Sequence, residues 1–339
     1  MANYTATQLL AARFRFNEMF KRPEMRQKPN PVLMLLQQNN SMLIPGLDSI
    51  KNSDQRTKSI SILNRATTTG ASARSHNHTG SVGDSTLANM SWATKSRAFK
   101  MSLKMGDRNE ESYQEMFANR LLSAIMDLHA DIETYSLAWL ASSKSQVVKS
   151  ATPKNVEWDA SNYLAKVAAA DADYLAQYSK SFMRQQWYDW GLDAIADPRM
   201  YALLQQQSAQ GAYNATNLGF QFAGIDYVES TDDLTNPTGV EASGYLIPKA
   251  TVGLVSWIPA ANRANAKKGI YEYSNIIDPL GSGLTFAVHQ YTAGADNNAT
   301  FGETQDVNEF FEVSIDISCV AADISTASES PIFKIGLKS

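Results

Sequence analysis

The 339-residue chain holds one cysteine, Cys319, four histidines, and no apolar run near the ~18 to 20 residues that span a bilayer. A single cysteine excludes an intrachain disulfide and a cysteine-rich metal framework, so stability must come from packing or assembly. The opening MANYTATQLLAARFRF places Arg13 and Arg15 where a signal peptide would carry its apolar core. These absences predict a soluble chain that is neither secreted nor membrane-bound, in which triplets such as Asn77-His78-Thr79 and Asn298-Ala299-Thr300 carry no weight as glycosylation sites.

Catalytic signatures are missing as well. There is no H-E-x-x-H and no G-x-S-x-G. PLGSGLTF, around Gly281 and Gly283, lacks both the third glycine of a dinucleotide loop and the Gly-Lys-Ser/Thr of a phosphate loop, and reads as a turn between strands. Only His76 and His78 are spaced as a ligand pair, and no cysteine or acidic cluster completes a zinc set around them. His129, near Asp127 and Asp131, reads as a surface or helix–helix residue. Asp232-Asp233 is a pairing common in turns. The chain is expected to have no catalytic, cofactor-binding or metal residues, and not to be an enzyme.

What is present is a charge asymmetry. Residues 1–110 carry 16 Lys+Arg against 7 Asp+Glu, a balance of +9, and the remainder carries 14 against 27, a balance of -13. Such a split suits an arm for nucleic acid, a basic segment lying on an acidic surface of its own or another copy, or uneven solvated charge.

Within the basic part, Ala66 to Thr86 (ATTTGASARSHNHTGSVGDST) has one mid-sized apolar residue, Val82. Upstream, KSISILNR alternates around Ile60 and Ile62; downstream, RAFKMSLK alternates Phe99, Met101 and Leu103 with polar residues. Two half-buried strands bracketing some twenty polar residues predict an extended hairpin. A connector beyond ~12 to 15 residues is uncommon in a compact domain, so this one is functional, disordered, or ordered by something outside its own subunit.

From Glu111 to about Leu140, apolar residues at Phe117, Leu121, Ile125, Leu128, Ile132, Tyr135 and Trp139 step by three and four with no proline or glycine, predicting a helix of about 45 Å. A second helix is expected from about Asp159 to Trp190. The aromatic cluster at its end, Phe182, Trp187, Tyr188 and Trp190, reads as core in preference to a base-stacking platform. After Pro198 a short helix is expected to stop at Gly211. Beyond it, strand-like segments separated by Gly, Pro, Asn or Asp lead to FFEVSIDISCV, which puts Phe311, Val313, Ile315, Ile317 and Cys319 on one face, making Cys319 a small core residue. The class is α+β.

This order of elements, with the texture of KMSLKMGDRNEESYQEMFANRLLSAIMDLHADIETYSLAWL, resembles the major capsid proteins of tailed bacteriophages and their Hong Kong 97-like fold. The resemblance implies an N-terminal arm (1–56), an extended β-hairpin loop (57–106), a peripheral domain with the spine helix (107–153), a mixed α/β axial domain (154–305) and return strands of the peripheral domain (306–339). It also implies self-assembly of hexamers and pentamers into an icosahedral virion shell, built in the host cytoplasm around double-stranded DNA held without sequence specificity. Portal and separate scaffolding or decoration proteins would be partners, and the polar loop would lie over a neighbouring subunit. Arg65, Arg74, Lys95, Arg97 and Lys100 are the expected subunit-interface residues. An encapsulin-type nanocompartment shell and a nucleic-acid-binding protein using the basic N-terminal third are the alternatives.

Overall fold

A computed structural model of the chain describes residues 28, 30–38, 43–44, 46–57, 59–63, 85–102, 113–148, 155–188, 191–212, 225–293, 308–322 and 329–339. In chain order, α1 (Pro31–Gln38) and α2 (Leu47–Lys51) precede β1 (Ser59–Leu63), β2 (Ser85–Asn89) and β3 (Ala93–Ser102), and then comes the 31-residue α3 (Tyr113–Ser143). Next come β4 (Val156–Asp159), β5 (Leu164–Val167), a 3-10 turn (Ala169–Tyr174), α4 (Leu175–Gln185), β6 (Leu192–Ala196), α5 (Pro198–Ala212), β7 (Ile225–Ser230) and β8 (Val240–Pro248). The chain closes with β9 (Val252–Trp257), α6 (Ala260–Arg263), β10 (Lys267–Lys268), β11 (Tyr271–Ile277), β12 (Thr285–Ala293), β13 (Asn308–Ala321) and β14 (Phe333–Lys338).

These strands form two six-stranded sheets and one separate hairpin. The first sheet runs β10-β11-β12-β13-β3, with β9 pairing the far half of β13; the second runs β4-β5-β14-β8-β6-β7. β13 alternates as its sequence predicts, with Phe311, Val313, Ile315, Ile317 and Cys319 all buried. Its second half also buries Asp316 and Ser318, because β9 and β3 flank it there. The main core packs α1 and α3 against this sheet, and a second core packs α4 and α5 on the other.

α3 starts and ends within three residues of the predicted bounds, and Phe117, Leu121, Ile125, Leu128 and Ile132 are buried, with Tyr135 and Trp139 packed at the margin. The predicted helix from Asp159 to Trp190 is corrected. Its first part is the antiparallel pair β4–β5, with Leu164 and Val167 on a strand, and only Leu175–Gln185 is α-helical. Trp158 stacks on Phe333 of β14 at 6.0 Å, and β5 pairs β14 in parallel, so tertiary pairing overrides the helical propensity of this alanine-rich stretch.

The predicted hairpin is also rearranged. β1 pairs with β2, whereas β3, the strand predicted as its partner, joins β13 along ten register pairs. The third helix, expected to stop at Gly211, runs from Pro198 through that glycine to Ala212. The two strands near the C-terminus separate: β13 lies in the first sheet, and β14 pairs β5 and β8 in the second. At Gly336 of β14 a Cβ would meet Val240 Cγ1 at 3.0 Å and Leu164 Cδ1 at 3.2 Å, so a close approach requires the glycine.

Candidate assembly surface

β3 lays one face on α3. Phe99 of β3, Phe311 of β13 and Phe117 of α3 form an aromatic trio with ring centroids 4.8 to 5.9 Å apart, each pair in a stacked, tilted or edge arrangement. Two residues before Phe99, Arg97 makes a bidentate contact with Asp131 of α3, at 2.8 Å from Nε and 2.7 Å from the terminal nitrogen. Two residues earlier again, Lys95 Nζ lies 5.4 Å from the Tyr135 ring centroid. From Arg97 to Lys95 the two-residue step of the strand thus matches the one-turn step from Asp131 to Tyr135 on the helix.

Of the predicted interface residues, Lys95 and Arg97 therefore face α3 of their own chain, with the Arg97 side chain still 43% exposed. Lys100 is exposed on the opposite face, in register with Phe310 of β13. Arg65 and Arg74, the polar tongue around them, and His76 and His78 lie outside the described residues.

That opposite face carries an aromatic ladder which the sequence reading did not single out. Tyr271 and Tyr273 of β11, His289 and Tyr291 of β12 and Phe310 of β13 contact one another at 4.9 to 6.0 Å between centroids. The available signal was the alternation YEY, HQY and F of three separate strands, legible only once their registers are known. Ile270 and Ile277, at either end of β11, are 59% and 70% exposed.

Among the described residues, β1 and β2 make a two-stranded sheet joined to neither larger sheet. Its base is anchored: the Trp92 indole N–H donates to the Thr57 carbonyl at 2.7 Å, and Ile60 packs on a small cluster of Ile44, Ile50, Met90, Val255 and Val320. Leu87 on β2 is 64% exposed. Nearby, a cavity of about 410 Å³ is lined by Lys51, Trp257, Arg263 and Asn275 among others. The Arg263 guanidinium is held by the carbonyls of Lys51 (3.3 Å) and Ser53 (2.6 Å), so it caps the C-terminus of α2.

The interior has its own polar ties. His129 is 1% exposed, a correction to its reading as a surface or helix–helix residue: its Nε2 lies 3.0 Å from Asp278 Oδ2 in the β11–β12 connection. Asp278 also accepts the N–H groups of Leu280 (2.9 Å) and Ser282 (3.0 Å) and the Ser282 hydroxyl. Burial alone pushes the Asp278 carboxyl up, but His129 and these donors outweigh it and the net shift is downward. Cys319 is buried, and burial pushes its thiol up to about 12, so it stays protonated. Among the described residues no three His, Cys, Asp or Glu side chains converge as a metal would require, and no helix is long and apolar enough to cross a membrane.

At the end of α4 the core reading holds for Phe182 and Tyr188, while Trp190 lies outside the described residues. Trp187 is corrected: its ring is 77% exposed and its φ is 68°. Tyr188 N–H bonds the Met183 carbonyl at 3.0 Å and Trp187 N–H the Arg184 carbonyl at 2.9 Å, a Schellman cap with tryptophan where glycine is usual. That backbone turn points the indole outward. Trp187→Gly is expected to raise stability by about 1 kcal/mol by relieving the left-handed conformation. Urea denaturation midpoints would show it, and a lower midpoint would count against this account.

No protein-family model and no curated protein sequence matches the chain. Solved structures do. A chain of the cyanophage A-1(L) capsid asymmetric unit superposes with a TM-score of 0.55 at 14% identity, covering 93% of this chain and 97% of that one. A Mycobacterium phage Che8 chain gives 0.46 at 10% identity over 88% and 89%. The SrpI encapsulin of Synechococcus elongatus gives 0.41 at 10% identity over 75% and 77%. The first of these, with the highest TM-score of the three, covers nearly the whole of both chains. The chain has the α+β, Hong Kong 97-like fold of a phage capsid protein.

Proposed function

We propose that the chain is a major capsid protein, a non-enzymatic structural protein that self-assembles into the shell of a tailed phage. The observation that carries this reading is the fold likeness to the cyanophage A-1(L) capsid chain over 93% of the sequence. The β1–β2 pair supports it, since an isolated two-stranded hairpin is marginal in water and gains stability from a second surface. The segments divide as arm (1–56), extended loop (57–106), spine-helix region (107–153), axial region (154–305) and return strands (306–339). Hexamers and pentamers form a closed virion shell in the host cytoplasm around double-stranded DNA, with portal and scaffolding or decoration proteins as partners.

In a closed shell one contact repeats at every subunit, so modest pair energies sum to a large collective term. The basic first third against the acidic remainder supplies the complementarity, with Arg65, Arg74 and Lys100 as its carriers, while Lys95 and Arg97, engaged by Tyr135 and Asp131 of their own chain, add only what their exposed parts leave free. Reversing Arg65, Arg74 and Lys100, and leaving Lys95 and Arg97 on their intrachain partners, is expected to lower shell yield by about tenfold or more while circular dichroism of the subunit is retained, because like charges now meet. An unchanged yield would remove the interface assignment.

The test of the function itself is negative-stain electron microscopy of the purified protein, with light scattering on the same sample. Closed shells or capsomer-sized rings are expected. A monodisperse monomer or dimer, even with scaffold supplied, would overturn the reading, and shells filled with enzyme cargo and free of nucleic acid would point to a nanocompartment.

A further inference from the structure

α1 reads PVLMLLQQ, with no acidic residue in its first turn to satisfy its N-terminal N–H groups. The acceptor comes from a hundred residues away. Glu133 on α3 takes the Val32 N–H on Oε1 at 3.2 Å and the Leu33 N–H on Oε2 at 3.0 Å. Glu133 is 0% exposed, and Val32, Leu33, Leu35 and Leu36 are each at most 1% exposed. α1 touches α3, β9 of the first sheet and β6 of the second, so it fills the seam between the two sheets.

We propose that Glu133 is a proton-operated latch on α1: the arm helix is held most tightly in the seam when this carboxyl is protonated, and less tightly when it is ionised. The reasoning starts from burial. A docked α1 shuts Glu133 away from water, whereas a released α1 lets water back to the carboxyl. An ionised carboxylate loses hydration on docking and regains part of it from two N–H groups; a neutral carboxyl gives up one of these contacts at its protonated oxygen but loses far less hydration.

The charged groups acting on it are few. Lys28, just before α1, and Asp233, in the β7–β8 connection, pair with each other at 2.6 Å and act on Glu133 in opposite senses. Around the same core, β6 and β9 contribute the apolar Ile195, Val252 and Leu254, and β6 also carries the buried Asp193 two residues before Ile195. β8 contributes Tyr245, whose hydroxyl burial pushes up to about 12 and keeps neutral, and over whose ring the buried Lys334 of β14 lies. One turn earlier on α3, His129 is engaged with Asp278. Burial dominates and lifts the Glu133 carboxyl to about 7 from its ordinary 4.5, against the pull of the Leu33 and Val32 N–H groups. Docked protein therefore binds the proton more tightly than released protein. Docking strengthens as pH falls from about 7 towards 4.5 and is weakest above 7.

Hydrogen exchange of the full chain, read by mass spectrometry over the α1 amides and corrected for intrinsic rates, tests this, with β13 amides as internal reference. Wild-type protection at α1 is expected to rise by about 10²-fold between pH 8 and pH 5, at tenfold per pKa unit. Glu133→Gln cannot ionise and keeps one acceptor oxygen, so its protection should be flat with pH, at a level set by the N–H group that its NH2 leaves without an acceptor. Glu133→Ala, which leaves both N–H groups without an acceptor, should be less protected at both values. Wild-type protection that is flat or rises with pH, or a Glu133→Gln variant that keeps the wild-type pH dependence, would overturn the latch. The outcome does not depend on whether the chain forms shells.

Discussion

Asp278→Ala is expected to cost about 3 to 5 kcal/mol, because it strands several buried hydrogen-bonding groups at once, each worth about 1 to 3 kcal/mol. The carboxylate is the hub of the β11–β12 connection: it takes the Leu280 and Ser282 N–H groups and the Ser282 hydroxyl, and lies 3.0 Å from His129 on α3. Alanine would strand all of these, and it would leave His129 buried beside Phe286 without its anion. Asp278→Asn keeps the shape and one acceptor oxygen, so it should fall between wild type and alanine. The pH dependence has a definite sign. Because the folded carboxyl lies below its ordinary 3.8, its stabilisation is present above that value and is lost as pH falls through the depressed one. Guanidinium midpoints at pH 7 and pH 3 would show this: the gap between wild type and Asp278→Asn should narrow at the lower pH, and a constant gap would remove the electrostatic account.

Phe117→Ala should be comparably costly, about 3 to 5 kcal/mol, since a buried phenylalanine leaves both its transfer energy and a cavity. Here the ring joins three elements, because Phe117 meets Phe99 and Phe311 at 5.9 and 4.8 Å. Phe117→Leu, which keeps most of the volume, should cost only about 1 kcal/mol. Thermal unfolding of the pair separates the effects, and a loss below about 1 kcal/mol for the alanine variant would show that the core collapses to fill the site.

Local periodicity made some of this structure legible before any coordinates. The three- and four-residue steps from Phe117 to Ile132 are set by one helix meeting one core, and they placed α3 correctly. The alternation from Phe311 to Cys319 worked for the same reason. Where pairing is decided by distant partners, the pattern failed. Leu164 and Val167 have helical spacing yet belong to β5, whose partner β14 lies some 170 residues further on. β3 looked like half of a hairpin and is a strand of the main sheet. Glu133 and His129 sit one turn apart on a helix whose flanking residues are apolar, and that was their one visible mark. Their partners, α1 and Asp278, carry no local signature. Of the five basic residues assigned to the interface, Lys95 and Arg97 alternate towards α3, which strand parity alone could not assign without knowing which face the helix covers.

The long reach of β13 has a consequence for the order of events on the ribosome. β3 is complete at Ser102, but its register partners begin at Asn308. At roughly 5 to 20 residues per second, synthesis of the intervening ~200 residues takes about 10 to 40 s. Through that interval the apolar side of α3 has no sheet to lie on, and the edges of β3 are open to any extended segment nearby. A nascent chain in this state depends on chaperones or on its own slow kinetics to stay out of misassembly. It also means that a chain ending before residue 308 lacks β13, the strand that joins β3 and β9 to the β10–β11–β12 strands. Such a fragment cannot complete the fold, so interrupted translation products are told apart from finished chains by the wiring of the fold itself.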